Sequence, residues 1–299
     1  MRLGIAHAVS VLGVEGHAVR IEVALLRGLP GFTIVGLPDA AVSESRERIR
    51  AAFAAAGITF PTARVTVNLS PADTPKTGTG FDLGIAVAIL AAMSSWESHE
   101  NVTWIGELGL DGSVRSVRGI LPAALWAAKS PDAHLVVPYA SRNEAALAEV
   151  KVSSVWHLSQ VAQDAGVSCA PVPDRPTIEK TRTQASSPAQ DLEDVRGQSE
   201  ARRALEIAAV GGHHLLMTGS AGIGKSMLAA CMPSILPELS VPQAVEVATI
   251  ASAAGDFGGD LSFVPPMSSP HHTSSTVSLI GGGAVPRPGA ISRAHHGVL

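Results

Sequence analysis

The sequence predicts an α/β protein of two domains. Three observations carry that expectation. The chain has 299 residues, and compact domains run to roughly 100–200 residues each. Segments with the two-residue alternation of strands take turns with segments of helical period, the pattern of packed α/β layers. Between two such stretches lies "APVPDRPTIEKTRTQASSPAQ" at 170–190, rich in Pro, Ser, Thr and Gln and without period, which predicts a linker. Domains are therefore expected over 1–169 and 191–299.

The elements follow in order. "HAVRIEVALL" (17–26) and "RVTVNLS" (64–70) have the β-branched alternation of strands. "AAVSESRERIRAAFAAAG" (40–57) predicts a helix between them, with Ile49 and Phe53 on one face and Gly57 at its C-terminal end. Its charges read as a solvated face; a DNA-facing role for Arg46, Arg48 and Arg50 is the sharper alternative. "FDLGIAVAILAAM" (81–93) is apolar nearly all round and predicts a central buried helix. "WIGELGLDGSVRSV" (104–117) predicts a hairpin turning at Asp111-Gly112. "LPAALWAAK" (121–129) predicts a helix with Pro122 in its first turn, and "HLVVPYA" (134–140) a short buried strand. After the linker comes a helix near 198–210, with Ala204, Leu205, Ile207 and Ala208 as its apolar face. "HHLLMTG" then predicts a short buried strand, and "KSMLAACM" a helix ended by Pro233. Residues 255–291, rich in Gly, Pro and Ser, predict loops or an extended hairpin.

Composition narrows the function classes. Hydrophobic residues make up 46% and charged residues 16%, ample for packed cores. Aromatics are only 4%, so Ala, Val, Leu and Ile must build those cores. A net charge of −4 excludes a whole-chain basic footprint for nucleic acid; a local patch, or a pore assembled from several subunits, stays open. Cys169 and Cys231 stand far apart and suit a reducing compartment. No signal-peptide pattern opens the chain, and the longest apolar run is too short for a bilayer. A cytoplasmic protein without a membrane partner is expected.

One motif carries chemistry. Gly219-Ser220-Ala221-Gly222-Ile223-Gly224-Lys225-Ser226 matches G-x-x-x-x-G-K-[ST], a match that ordinary composition produces by chance in about 1% of chains this long. Glycines permit the positive φ angles that aim backbone N–H groups at a phosphate. Lys225 would reach the β- and γ-oxygens of ATP, and the Ser226 hydroxyl would hold its Mg²⁺.

On these residues rests a resemblance. "DLEDVRGQSEARRALEIAAVGGHHLLMTGSAGIGKSMLA" and "SSPHHTSSTVSLIGGGAVPRPGAISRAHHGVL" resemble the magnesium-chelatase-like AAA+ ATPases of the YifB/ComM type. The resemblance implies an incomplete P-loop AAA+ α/β domain after the linker. It places "DVRGQ" near adenine, with Val195 and Gly197 as backbone contacts. The loop departs from the family's GPPGSGK: Ser220 and Ala221 replace prolines, and Ile223 a small polar residue. The family runs on after "AHHGVL" into a strand ending in the Walker B acids, whereas Leu299 is the last residue here. The expectation is a truncated member, without catalytic residues of its own, that binds ATP and hydrolyses it poorly. The resemblance further implies a hexameric homo-oligomeric ring driving branch migration on DNA. A non-catalytic assembly or DNA-interaction fragment, and a chelatase-type ATPase subunit, are the alternatives.

"VNLSPADTPKTGTGFDLGIAVAILAA" (67–92) resembles the Lon-protease fold, so the first domain is expected to be Lon-like. In that fold a lysine activates a serine nucleophile. Aligned on Pro75-Lys76, the serine position falls at Gly80 and the lysine position at Ala123; Thr79 has no aligned lysine. A non-proteolytic domain is expected. His271-His272 and His295-His296 are read as loop histidines, because adjacent histidines do not easily face one ion and no third ligand stands at a recognisable spacing. His213-His214 are read as the edge of the strand they precede.

Overall fold

The computed structural model describes residues 1–177, 190–283 and 286–299. They divide into two compact units: the first takes the described residues up to 177 together with Ser252–Gly255, and the second takes the others from 190 onward. Residues 178–189 of the expected linker lie outside the described residues.

The first unit is a seven-stranded sheet with helices against it. In chain order it runs β1 (Arg2–Leu12), β2 (Glu15–Leu26), β3 (Gly31–Val35), α1 (Ala40–Ala55), β4 (Arg64–Ser70), α2 (Asp82–Met93) and β5 (Val102–Trp104). The hairpin β6 (Glu107–Leu108) and β7 (Val114–Arg115) follows, then α3 (Ile120–Ala127), β8 (His134–Pro138), α4 (Arg142–Ala145), β9 (Lys151–Val155) and α5 (Leu158–Asp164). The sheet order is β3-β4-β2-β1-β5-β8-β9. β1 with β2 and β2 with β4 are antiparallel; the other four neighbours are parallel.

Alternation sets the sheet's buried face. Val19, Ile21 and Val23 of β2 and Val65, Val67 and Leu69 of β4 point into one core. α2 crosses that core, with every residue from Asp82 to Ala92 buried. A helix with no polar side loses nothing by full enclosure, and each buried Ile or Leu contributes roughly 1.5–3 kcal/mol. β1 approaches α2 at Gly4, where an added Cβ would meet the backbone carbonyl of Ala88. α1 starts at an Asp39 cap, whose carboxylate accepts from the Val42 N–H at 2.8 Å. It stops before Gly57, which takes φ +65°. Asp111-Gly112 does turn the β6–β7 hairpin: the Asp111 carboxylate accepts from the Ser113 N–H at 3.1 Å, and Gly112 takes φ +83°. Beyond α5, Ala170 donates its N–H to Ala56 at 2.8 Å, and Pro173 accepts from the Trp156 indole at 3.0 Å.

The charged face of α1 is solvated at Glu44, Arg46, Glu47 and Arg50, and Arg48 is the exception. Its guanidinium turns inward to the wholly buried Asp82, with Nε 2.7 Å from Oδ2 and Nη2 3.1 Å from Oδ1. Ser45 and the Leu108 N–H bond the same carboxylate. Arg48 and Asp82 sit 34 positions apart, so no local pattern betrays the pair. Arg50 lies over the rings of Phe32 and Phe60, at 5.9 and 5.6 Å from their centroids.

The second unit holds α6 (Ser199–Gly211), α7 (Lys225–Ala230), α8 (Met232–Ile235), α9 (Val241–Ala254) up to Ala251, α10 (Thr276–Ile280), the short paired strands β10 (Gly281–Gly282) and β11 (Arg287–Pro288), and α11 (Ala290–Arg293). Its core is Leu192, Val195, Leu205, Ala208, Leu228 and Met232 with Cys231. Ile207 is 52% exposed, so the buried face of α6 is Leu205, Ala208 and Ala209 rather than the predicted set. The predicted strand at "HHLLMTG" is not formed. No residue of 213–219 is in a strand, and Leu216 is 87% exposed. A strand is defined by a neighbour that takes its N–H and C=O groups, and among the described residues none pairs there.

Candidate nucleotide site

The loop runs from Gly219 to the start of α7. Gly219, Gly222 and Gly224 take φ of +151°, +84° and +92°. Those angles are costly for any residue with a Cβ, which explains three glycines in six positions. Ile223 folds its side chain back over Gly219. α7 begins at once, its first bond running from the Leu228 N–H to the Gly224 carbonyl at 2.9 Å. The Lys225 ammonium curls over the loop and donates to the carbonyls of Gly219 at 2.9 Å and Ser220 at 2.7 Å. Ser226 and Ala221 are exposed.

The segment ahead of α6 is tied to this loop. Gln198, in a left-handed conformation at φ +54°, donates its side-chain amide to the Ile223 carbonyl. Gly197 beside it is exposed at φ +72°. Val195 is buried in the core, its N–H bonded to Leu192 and its carbonyl to Arg202. Two stretches far apart in sequence thus meet in one place. Gln198 is the contact the motif search missed; its signal was its position as the last residue of "DVRGQ". Cys231 is not an activated thiol: burial and the carboxylates of Asp191 and Asp194 push its pKa up.

In the first unit the protease positions are filled otherwise. Gly80 lies beside Ile105 and Val117. Ala123 is fully buried in a small apolar cluster with Ile120 and Leu135. Lys76, in the same loop as Gly80, is fully buried and donates its ammonium to the Pro71 carbonyl. Burial draws its pKa down.

A glycine loop running into a helix, in a chain of α/β class, is the loop-and-helix part of the P-loop motif. The chain belongs to the magnesium-chelatase-like family that includes YifB and ComM. Residues 21–141 match the family described as subunit ChlI of Mg-chelatase, and residues 191–299 match magnesium chelatase, subunit ChlI. The whole chain aligns with an uncharacterised protein of Mycobacterium tuberculosis at 46% identity, covering 60% of that protein. It aligns over its full length with YifB of Escherichia coli at 39% identity and with the competence protein ComM of Haemophilus influenzae at 40%, covering 59% and 60% of them. The chain therefore spans about 60% of the length of these relatives. A fainter match, 24% identical over 54% of the chain, is to Lon protease of Syntrophomonas wolfei. No helix among the described residues is long and apolar enough to cross a membrane.

Proposed function

We propose that this chain binds ATP with Mg²⁺ at Gly219–Ser226, as part of a cytoplasmic, ring-forming, ATP-driven motor that acts on DNA. The observation that carries the reading is the loop: three positive-φ glycines, a lysine already folded over them, and a neighbouring segment fastened to it by Gln198. On phosphate binding Lys225 exchanges two carbonyls for phosphate oxygens, which carry full charge and hold it more strongly. Ser226 would hold Mg²⁺, and the exposed Gly197 would offer its backbone to the base, whereas the backbone of Val195 is already taken by Leu192 and Arg202. Lys225, and Mg²⁺ if held at Ser226, would neutralise phosphate charge, the chemistry that phosphoryl transfer needs. None of the loop side chains is a base for water.

The DNA role is inferred from kinship with a competence protein. A hexameric ring is inferred from the AAA+ resemblance. An ATPase subunit of chelatase type is the second reading, favoured by the wording of the two matched families. Full-length alignment with YifB and ComM, first unit included, supports the motor. The test is saturable, Mg²⁺-dependent binding of a fluorescent ATP analogue to the purified chain. No saturation sinks the nucleotide reading. Binding of ATP without any gain in affinity for branched or single-stranded DNA sinks the motor reading alone.

A further inference from the structure

We infer that the second unit carries a separate site for a borderline-soft divalent cation such as Zn²⁺, made by Glu246, His295 and His296. The three side chains offer ligand atoms that all lie within 4.8 Å of one another. Glu246 projects from α9. Its Oε2 lies 3.1 Å from Nε2 of His295 and 2.6 Å from Nε2 of His296. Adjacent histidines do not easily face one ion, yet these two turn to the same carboxylate. His296 takes φ +56°, and that left-handed turn brings both rings to the same side, their centroids 4.0 Å apart. The carboxylate came from 49 positions upstream, beyond the reach of any spacing rule.

The backbone holds this geometry in place. The Gly297 N–H bonds the Ala294 carbonyl at 2.8 Å, and the Val298 N–H bonds Pro266 at 2.8 Å. A Cβ at Gly297 would collide with the Pro266 carbonyl, so the close approach needs glycine there. Ligand atoms on a tetrahedral Zn²⁺ at 2.0–2.1 Å stand about 3.4 Å apart. The observed separations of 3.1 and 2.6 Å are shorter than that, the second by nearly an ångström. Side-chain rotation at the half-exposed Glu246 and His295 supplies the difference. Two imidazoles and one carboxylate leave a fourth position open to water or another ligand. Imidazole donors select Zn²⁺, Ni²⁺ or Cu²⁺ over the hard, oxygen-seeking Mg²⁺. The site is thus chemically distinct from a Ser226–Mg²⁺–nucleotide site and stands or falls independently of it.

The experiment is a Zn²⁺ titration of the tag-free, full 299-residue chain by calorimetry, repeated with Co²⁺ and read from its visible absorption. One ion per chain is expected, with the strong bands of four-coordinate cobalt. Glu246→Gln and His296→Ala should each weaken binding at least about tenfold. The paired variant His271→Ala/His272→Ala should leave it unchanged. Circular dichroism checks that each variant folds, and a Zn²⁺-dependent rise in melting temperature should be present in the parent and lost in Glu246→Gln. Failure of the parent to bind, unchanged affinity in the folded Glu246→Gln or His296→Ala chains, or displacement of Zn²⁺ by equimolar Mg²⁺ would each overturn the assignment.

Discussion

Lys225→Ala is the most direct perturbation of the loop. In the free chain its ammonium makes two hydrogen bonds to backbone carbonyls, at 2.9 and 2.7 Å. Bound phosphate would take their place. A hydrogen bond to a charged group contributes about 1.5–3 kcal/mol, or roughly 10- to 150-fold in dissociation constant. Because carbonyl bonds are exchanged and not merely added, the lower half of that range applies, about 10- to 40-fold. Folding should hardly change, since surface substitutions away from packed features stay within about 0.5 kcal/mol. The assay is a fluorescent ATP analogue titrated into parent, Lys225→Ala and Lys225→Arg chains, with and without Mg²⁺. Ser226→Ala run alongside should remove the Mg²⁺ dependence while leaving weak metal-free binding. A Lys225→Ala dissociation constant within about twofold of the parent, in a chain of unchanged melting temperature, would refute the phosphate role.

Four further outcomes concern the first unit. Arg48→Ala should destabilise it by about 3–5 kcal/mol in chemical denaturation, because it strands the buried Asp82 carboxylate; replacing both partners with apolar residues should cost much less. Gly80→Ser should be tolerated, since an added Cβ meets Ile105 and Val117 at ordinary distances of 3.6 and 3.7 Å. Ala123→Lys should cost several kcal/mol in melting experiments, as it forces a cation into an apolar cluster. Finally, acid should weaken the unit. His7 is held below its ordinary pKa of 6.5 by burial and then by Arg20, and His134 by burial and then by Lys151. The folded state resists protonating them, so stability is full above about pH 6.5 and falls as pH drops through their lowered values. His7→Gln should flatten that slope; an unchanged slope would remove His7 as its source.

Much of the first unit was legible in the sequence, and the reason is local. The helix α2 announces itself through an unbroken apolar run, and β2 and β4 through alternation on β-branched residues. Less legible was β1, "RLGIAHAVSVL", whose inward positions include Gly4, Ala6 and Ala8. Small residues carry a weak strand signal, and β2, paired with it along its whole length, decides the outcome. The strand expected at 213–219 failed for the converse reason: its apolar residues are sound, but strand formation belongs to a pair and not to a segment. In the candidate site the glycine loop was legible because its spacing is its chemistry. The Gln198 link and the Glu246 cluster were not, because both join residues at least 25 positions apart.

The loop bearing Gly80 is fastened to its surroundings at several points. Asp82, two residues on, ends in a carboxylate bonded by Arg48, Ser45 and the Leu108 N–H. The Gly78 N–H bonds the Asp39 carboxylate at 2.9 Å, and the Asp39 N–H bonds the Lys76 carbonyl at 3.0 Å. Lys76 is itself buried against Pro71. Every one of these contacts stiffens the loop, and none presents a nucleophile to solvent. Burying an ammonium and a carboxylate is unfavourable unless the geometry is fixed, so such a loop is built for shape. The Arg48→Ala variant removes one of these bonds and should soften the loop.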